Sequence, residues 1–303
     1  MSSMITDQSP IAFQDPVDTA VDVVVIGGGI AGVSTAYFLA QQGISAMVCE
    51  KGRIAGEQSS RNWGWIRQQR RDAAELPIVM ESARIWRNFA AETGEADLGF
   101  TECGCLQFIE DEAVMAKCEA WVETSKQHQL ASEVLSPKQI ADRFPEASGN
   151  WSGATYTPSD GRGEPSVAVP ALARAATRAG VRIRENCAVR TLDIEAGRIT
   201  GVYTEAGRIA CSQVVLAGGA WSTHFAANSD VALPQLAVRS TAARTNVAPD
   251  VIGPMFWAPE LALRRRADGG YTVTTGDVAE HYLSPNSFRF ATTFRHLMLG
   301  SSN

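Results

Sequence analysis

The chain has 303 residues, of which 45% are hydrophobic and 20% charged, and its formal net charge is −6. This balance is typical of a globular protein, and the acidic charge argues against nucleic acid as the main partner because phosphate binding requires a basic face. No apolar stretch approaches the roughly 18–20 residues that cross a bilayer. Residues 1–19 are polar and lack the apolar centre of a secretory signal, which predicts a flexible leader.

The six cysteines are scattered, with no C-x-x-C pair, and there are only four histidines. Metal sites usually show closely spaced ligands of these types, so we predict no metal site. Unpaired, scattered cysteines are typical of reduced thiols in a reducing compartment, which predicts a cytoplasmic protein.

The first pattern along the chain is a strand, a glycine turn, a helix and a second strand. Residues 21–26 form an uninterrupted β-branched run, which is typical of a strand buried on both faces. Gly27-Gly28-Gly29 follows, then a helix is predicted over 30–42 and a second strand over 44–49, ending at Glu50.

Later segments give weaker signals. Residues 53–71 and 151–165 show little periodicity and are predicted as extended loops, the second with a turn at Pro158-Ser159-Asp160-Gly161. Helices are predicted over 74–91, 111–128 and 165–180, with a further helix starting at Ser136-Pro137. Strands are predicted over 103–109 and 213–217, with hairpin turns at 195–197 and 205–207 and strand-like pattern from Leu236 onward.

The glycines of the first turn fit G-x-G-x-x-G at Gly27, Gly29 and Gly32. The first glycine makes a tight turn, the second lets a pyrophosphate approach the backbone, and the third lets the helix pack on the sheet. The helix N-terminus then favours the anion. Glu50, about twenty residues on, stands where a carboxylate accepts hydrogen bonds from a ribose. Together these features predict a dinucleotide site.

FAD and NAD share this unit, and two further features favour FAD. The segment 59–65 is more elaborate than a plain strand-to-helix connection and offers many polar groups. A second strand and glycine turn over 214–219 supplies another backbone approach far downstream, as a bipartite flavin site requires.

At these residues the chain resembles the D-amino-acid-oxidase-type FAD oxidoreductases, which include glycine and sarcosine oxidases and D-amino-acid dehydrogenases. The matching stretches are residues 23–32 with Glu50, 59–64, 157–165 and 214–221. The resemblance implies an α/β fold, with a Rossmann-like FAD-binding domain and an interleaved mixed-sheet α+β substrate domain. We assign residues 20–85 and 155–225 to the first domain and 86–154 and 226–303 to the second.

The resemblance also implies which residues contact FAD. The ADP half would be held by Gly27, Gly29, Ile30, Ala31, Gly32, Glu50 and Lys51. The flavin would pass Ser59, Ser60, Arg61, Asn62, Trp63 and Gly64, the adenine would meet the backbone of Val189, and Gly218, Gly219 and Trp221 would complete the pocket wall.

The chemistry that the resemblance implies is oxidation of the C–N bond of an amine or amino acid, a D-amino or N-alkyl compound above all. Hydride transfer to the flavin leaves an imine that water hydrolyses. An amino-acid carboxylate is best held by a bidentate arginine, and Arg67 and Arg264 are candidates, although a surface or salt-bridged role is the more common one for an arginine. Trp63 and Trp221 are expected at the pocket, whereas a core role is equally compatible with Trp257.

Members of the family end with a further glycine-rich segment, which residues 292–303 do not show. This difference supports one alternative, a non-catalytic or complex-dependent flavin-binding subunit. A second alternative, a flavoprotein dehydrogenase acting on C–O bonds, stays open independently of it. The electron acceptor could be oxygen, a quinone or another protein.

Overall fold

The computed structural model describes residues 4–95, 98–275 and 280–295. In chain order the strands are β1 (Val23–Ile26), β2 (Ala46–Cys49), β3 (Trp65–Ile66), β4 (Thr101–Glu102), β5 (Cys105–Ile109), β6 (Glu133–Leu135), β7 (Gly153–Thr157), β8 (Gly161–Arg162), β9 (Arg182–Arg184), β10 (Val189–Glu195), β11 (Arg198–Thr204), β12 (Gly207–Ala210), β13 (Gln213–Leu216), β14 (Ala243–Arg244), β15 (Met255–Trp257), β16 (Ala262–Arg265) and β17 (Tyr271–Thr274). The helices are α1 (Ile30–Gln41), α2 (Gln58–Arg61), α3 (Leu76–Thr93), α4 (Glu112–Gln127), α5 (Pro137–Arg143), α6 (Pro165–Arg178), α7 (Ser222–Ala227) and α8 (Pro285–Arg289), with a 3-10 turn at Gly219–Trp221.

The described chain divides into two compact units. The dinucleotide unit comprises residues 4–60, 172–240 and 280–295, and the mixed-sheet unit comprises 61–171 and 241–275. These divisions differ from the domain boundaries expected from the sequence. The reason is strand pairing. Strand β3 pairs with β8, and β7 pairs with β5, so all four strands belong to the mixed-sheet unit.

The dinucleotide unit is built on a parallel sheet with the strand order β13-β1-β2-β9. Every residue of β1 and β2 is buried, which explains why both segments are uninterrupted apolar runs. A three-stranded antiparallel sheet, β10-β11-β12, belongs to the same unit. Val24 and Met47 of the parallel sheet share one core cluster with Val202 and Ile209.

Part of the predicted leader is fixed to this unit. The backbone N–H of Asp15 donates to the carbonyl of Ile183 at 3.2 Å, and the Asp15 carboxylate accepts the Ile183 N–H at 2.9 Å. The buried carboxylate of Glu185 accepts the N–H of Ala12 at 2.7 Å. These partners lie far along the chain, so local polarity could not indicate them.

The mixed-sheet unit contains a seven-stranded sheet in the order β14-β17-β16-β15-β5-β7-β6. All its neighbours are antiparallel except β15 and β5. The expectation of a loop over 151–165 was wrong, because β7 is an interior strand of this sheet and β8 joins β3 and β4 in a small antiparallel sheet. The predicted fold class, α/β with a second mixed-sheet part, is confirmed.

Within the described ranges, no helix has both the length and the apolar character needed to cross a membrane.

Candidate functional site: a glycine turn and an arginine–tryptophan cavity

The glycine turn after β1 leaves no room for side chains. A Cβ atom on Gly27 would lie 2.4 Å from the carbonyl oxygen of Ala217, and its φ of +111° is one that other residues avoid. A Cβ on Gly32 would lie 2.0 Å from the carbonyl oxygen of Gly27, because α1 packs directly against the turn. Two glycines of the G-x-G-x-x-G motif therefore lie where the backbone packs too closely against other backbone atoms to leave space for a Cβ atom.

The start of α1 offers donors for an anion. The first intrahelical bond runs from the N–H of Val33 to the carbonyl of Gly29 at 3.0 Å, so the N–H groups of Ala31 and Gly32 precede the helical ladder. The N–H of Ile30 already donates to the Ser59 hydroxyl at 2.9 Å. Two backbone donors and the helix dipole therefore suit a pyrophosphate.

Glu50 ties the glycine turn to the end of β2. Its side chain is 7% exposed, and its two carboxylate oxygens accept the N–H groups of Gly28 and Gly52, each at 2.7 Å. Each oxygen keeps a further lone pair, so the carboxylate can still accept a ribose hydroxyl.

Lys51 and Trp221 come together in the dinucleotide unit. The Lys51 ammonium lies 4.0 Å from the centre of the Trp221 ring and 2.7 Å from Glu57 Oε1. Trp221 ends the 3-10 turn that begins at Gly219, directly after β13, and its N–H donates to the Gly218 carbonyl at 3.0 Å. The Trp221 side chain is 45% exposed, so its ring is available at the surface of this unit.

The remaining predicted contact residues lie in both units. Ser59 and the buried Ser60 lie in the short helix α2, which ends at Arg61, and Val189 opens β10 with 8% exposure. The Asn62 side chain accepts the N–H of Gly64 at 2.7 Å, and the Gly64 carbonyl accepts the N–H of Gly163 at 2.8 Å. Gly64 has φ +73°, and a Cβ there would lie 2.3 Å from the Gly163 carbonyl oxygen.

The mixed-sheet unit holds a cavity of about 830 Å³, lined by aromatic and cationic side chains and, on one part of its wall, by Glu110 and Asp111. Its wall includes Trp63, Trp65, Trp257, Arg67, Arg70 and Arg71. Trp65 contacts both other tryptophans, with ring centres 5.5 Å from Trp63 and 5.4 Å from Trp257. The Arg67 guanidinium carbon lies 5.3 Å from the centre of the Trp257 ring. This combination suits a ligand with one anionic and one flat apolar part.

Arg67 is half-buried, and its Nη1 donates to the carbonyl of Gln69. Burial and the nearby Arg71 lower the pKa of Arg67, which nevertheless stays charged because an arginine titrates far above neutral pH. Arg70 donates from Nη1 to Cys118 Sγ at 3.0 Å. Of these side chains, only Trp63 and Arg67 were expected at a pocket.

The other predicted carboxylate ligand, Arg264, is placed differently. Its side chain is 2% exposed and forms a buried ion pair with Glu164 at 2.8 Å, while the same Nη1 donates to the Gly163 carbonyl at 2.9 Å. Its Nε is buried without a hydrogen-bond partner. Burial lowers the pKa of Arg264, and the Glu164 carboxylate opposes that shift. The charge of Arg264 is therefore already compensated within the protein.

Asp160 was interpreted from the sequence only as part of a turn, yet it is a fully buried carboxylate next to Arg67. Burial raises the pKa of Asp160 to about 6, against the opposing effects of the Gln68 and Gln69 N–H groups and of Arg67. The Gly161 that follows it was the only local signal, since turns often contain Asp-Gly.

A comparison with protein families identifies the chain. The family described as DAO, FAD dependent oxidoreductase, matches residues 22–298. The chain belongs to the DAO family of FAD-dependent oxidoreductases. The predicted family and the predicted cofactor, FAD, are thereby confirmed.

Three proteins of known name are similar to this DAO-family chain in sequence or structure. A 4-methylaminobutanoate oxidase (formaldehyde-forming) from Paenarthrobacter nicotinovorans is 28% identical over 90% of this chain and 32% of its own length. A sarcosine oxidase subunit beta from Arthrobacter sp is 32% identical over 70% of this chain and 54% of its own length. L-amino acid deaminase from Proteus myxofaciens, solved in complex with anthranilate, superposes with a TM-score of 0.90 at 31% identity, covering 96% of this chain and 66% of that one. The chain thus spans about a third to two thirds of the length of these proteins.

Proposed function

We propose that this chain is an FAD-dependent oxidoreductase that oxidises the C–N bond of an amino acid, with Arg67 binding the substrate carboxylate. The observation that carries the substrate class is the cavity in the mixed-sheet unit, where Arg67 lies against Trp257 in a space of about 830 Å³. A cavity of this size accommodates a small molecule. The relatives named above act, by their names, on amino acids or N-methyl amino acids, which supports the same class.

The residues of the glycine turn fit the ADP half of FAD. The N–H groups of Ala31 and Gly32, at the start of α1, would donate to the pyrophosphate, and Glu50 would accept from the ribose. Glycine at positions 27 and 32 permits the close packing of the turn against its neighbours. Lys51, the segment 59–64, Val189 and the turn at 218–221 would complete the contacts. When bound, FAD supplies a two-electron acceptor for the hydride that leaves the substrate carbon next to nitrogen.

Within the cavity, the protein's part is to bind and orient the substrate. The planar guanidinium of Arg67 would form two parallel hydrogen bonds with the carboxylate, which fixes the direction of the Cα–H bond. The tryptophans would pack against an apolar side chain and exclude water from it. We therefore propose a D-amino, L-amino or N-methyl amino acid with a large apolar or aromatic side chain, and the deaminase solved with anthranilate supports an aromatic carboxylate as ligand.

The test is the visible absorption spectrum of the purified flavoprotein under anaerobic conditions. Aromatic amino acids of both configurations and their N-methyl derivatives are added separately, beside the corresponding hydroxy acids. We expect the flavin band to bleach with at least one amino compound and not with the hydroxy acids. Bleaching by hydroxy acids alone would instead establish oxidation of a C–O bond.

The relative that is named as a subunit supports a second proposal. Sarcosine oxidase subunit beta aligns with most of this chain, which favours a complex in which a partner polypeptide is required for turnover. The expected result is a native mass that is not a multiple of this chain's mass, with a second polypeptide present and activity only in that complex. A fully active preparation of this chain alone would exclude it.

We also propose a cytoplasmic location, because all six cysteines are free thiols. The electron acceptor would be oxygen, a quinone or another protein. The test adds air or a soluble quinone separately to the bleached flavin: reoxidation by one of them identifies that acceptor, and slow reoxidation by both favours a protein.

A further inference from the structure

The turn before β8 places a carboxylate in the interior of the mixed-sheet unit. Asp160 is fully buried, and its Oδ1 accepts the backbone N–H of Gln68 at 2.7 Å and the Gln68 side-chain amide at 3.1 Å. Its Oδ2 accepts the backbone N–H of Gln69 at 3.1 Å. One side chain thus holds two consecutive peptide groups, about ninety residues away in sequence.

One of these two residues, Gln69, also holds Arg67. Its guanidinium donates to the carbonyl of Gln69, and it reaches the cavity beside the Trp257 ring. Asp160, in turn, is anchored by its own carbonyl, which accepts the N–H groups of Cys103 and Gly104 at 3.1 Å and 2.8 Å. A path of hydrogen bonds therefore leads from the connection between β4 and β5, through Asp160 and Gln69, to Arg67.

We propose that Asp160 is a positioning residue for Arg67: its ionised carboxylate fixes the 68–69 backbone and so sets the place of the guanidinium in the cavity wall. This inference rests on the proposed function, in which Arg67 binds the substrate carboxylate. Asp160 itself is buried, does not line the cavity and touches no substrate in this scheme.

An ionised carboxylate satisfies this arrangement best. Three N–H groups converge on two oxygens, and a carboxylate accepts at both. Asparagine has nearly the same shape, but in either orientation of its side-chain amide the NH₂ group faces an N–H donor. One backbone donor would then be buried without an acceptor, and the segment would have to shift.

Protonation should weaken the same contacts, because the protonated oxygen becomes a poorer acceptor for the N–H group that faces it. Arg67, Cys103 and Cys105 are the titratable groups that face Asp160, and Arg87 donates to the neighbouring Ser159 carbonyl. Burial raises the pKa of both thiols above their ordinary value, so they stay neutral near pH 6. Because the pKa of Asp160 lies at about 6, the anchoring carboxylate is present above that pH and is lost as the pH falls through it.

The experiment measures binding of benzoate, an unreactive aromatic carboxylate, to the FAD-loaded protein by calorimetry between pH 5.5 and 8. For the wild type we expect binding to weaken as the pH falls through about 6. For Asp160→Asn we expect binding about tenfold weaker at pH 8, as for a lost charged hydrogen bond, and no inflection near pH 6. Asp268→Asn is the matched control, because that carboxylate accepts the Gly270 N–H and pairs with Arg266 in the same unit.

The outcomes separate the two proposals. Wild type that binds benzoate with no inflection near pH 6, or Asp160→Asn that keeps both affinity and inflection, would overturn the role of Asp160 and leave the cavity assignment standing. Wild type that fails to bind benzoate or any aromatic amino acid would overturn the proposed function together with this inference. Since the wild-type profile needs no substitution, the test remains decisive if Asp160→Asn does not fold.

Discussion

Gly32 illustrates at the scale of one residue how the cofactor motif depends on close packing. A Cβ there would come within 2.0 Å of the Gly27 carbonyl oxygen and 3.2 Å of Val25 Cγ1. The first contact is with a backbone atom, so it cannot relax without a shift of the turn or of α1. The requirement for glycine is therefore steric, and it acts on the same backbone that would meet the pyrophosphate.

The substitution Gly32→Ala should abolish or severely weaken FAD binding. We expect the purified variant to lack the flavin absorption band and to regain little of it on incubation with FAD. Gly253→Ala is the control, because a Cβ at Gly253 meets no atom within 4 Å. Equal flavin content in both variants would contradict the role assigned to the turn.

Arg67 provides a second prediction at this scale. Arg67→Lys keeps the charge but loses the planar pair of donors, so KM for an amino acid should rise about ten- to hundredfold. Steady-state kinetics would show it, with kcat changing less. The decarboxylated amine is the control substrate, because it has no carboxylate to lose. If KM rises equally for the amine, Arg67 does not bind the carboxylate.

At the scale of elements, the buried ion pair Arg264–Glu164 joins β16 to the start of α6. Glu164 Oε1 accepts from Arg264 Nη1 at 2.8 Å and from the backbone N–H of Ala267 at 2.9 Å. Both side chains are almost fully buried. Such a pair contributes modestly when it is complete, but removal of one partner leaves an uncompensated charge in the interior.

Glu164→Gln should therefore lower the free energy of unfolding of the mixed-sheet unit by about 3–5 kcal/mol. Thermal and urea denaturation would measure the change. The exposed pair Arg84–Glu81 gives the comparison, and Glu81→Gln should leave stability nearly unchanged. A further variant with Glu164→Leu and Arg264→Met should recover much of the loss; if it does not, the effect of Glu164→Gln reflects something other than the unpaired Arg264 charge.

At the scale of the whole molecule, two units are each built from separated stretches of one chain. FAD bound to the folded chain and not to the unfolded chain should stabilise it by about 2.7 kcal/mol at a hundredfold excess over Kd. We expect scanning calorimetry to show Tm rising with FAD concentration in the wild type and not in Gly32→Ala. A Tm that is independent of FAD in the wild type would contradict specific binding.

The amino-acid sequence by itself determined the dinucleotide unit's first half. The strand, the three glycines, the helix and Glu50 lie within thirty residues, and each signal depends on neighbours only a few positions away. Local patterns also indicated α3, α4 and α6 to within two residues at each end. Family membership and FAD followed from the same local motifs, because backbone approach to a phosphate requires particular residues at fixed spacing.

Only the tertiary structure decided where the remaining side chains act. Strand β7 contains Gly153 and Ala154, whose small side chains give no alternation, and it becomes a strand by pairing with β5 and β6. Arg67 and Arg264 looked alike in sequence, but Arg264 meets Glu164 a hundred residues away and is compensated. Asp160 reaches its partners across ninety-one and ninety-two residues. Burial and pairing over such distances decide whether a charged side chain is compensated and whether it reaches a cavity. No local sequence pattern encodes these contacts.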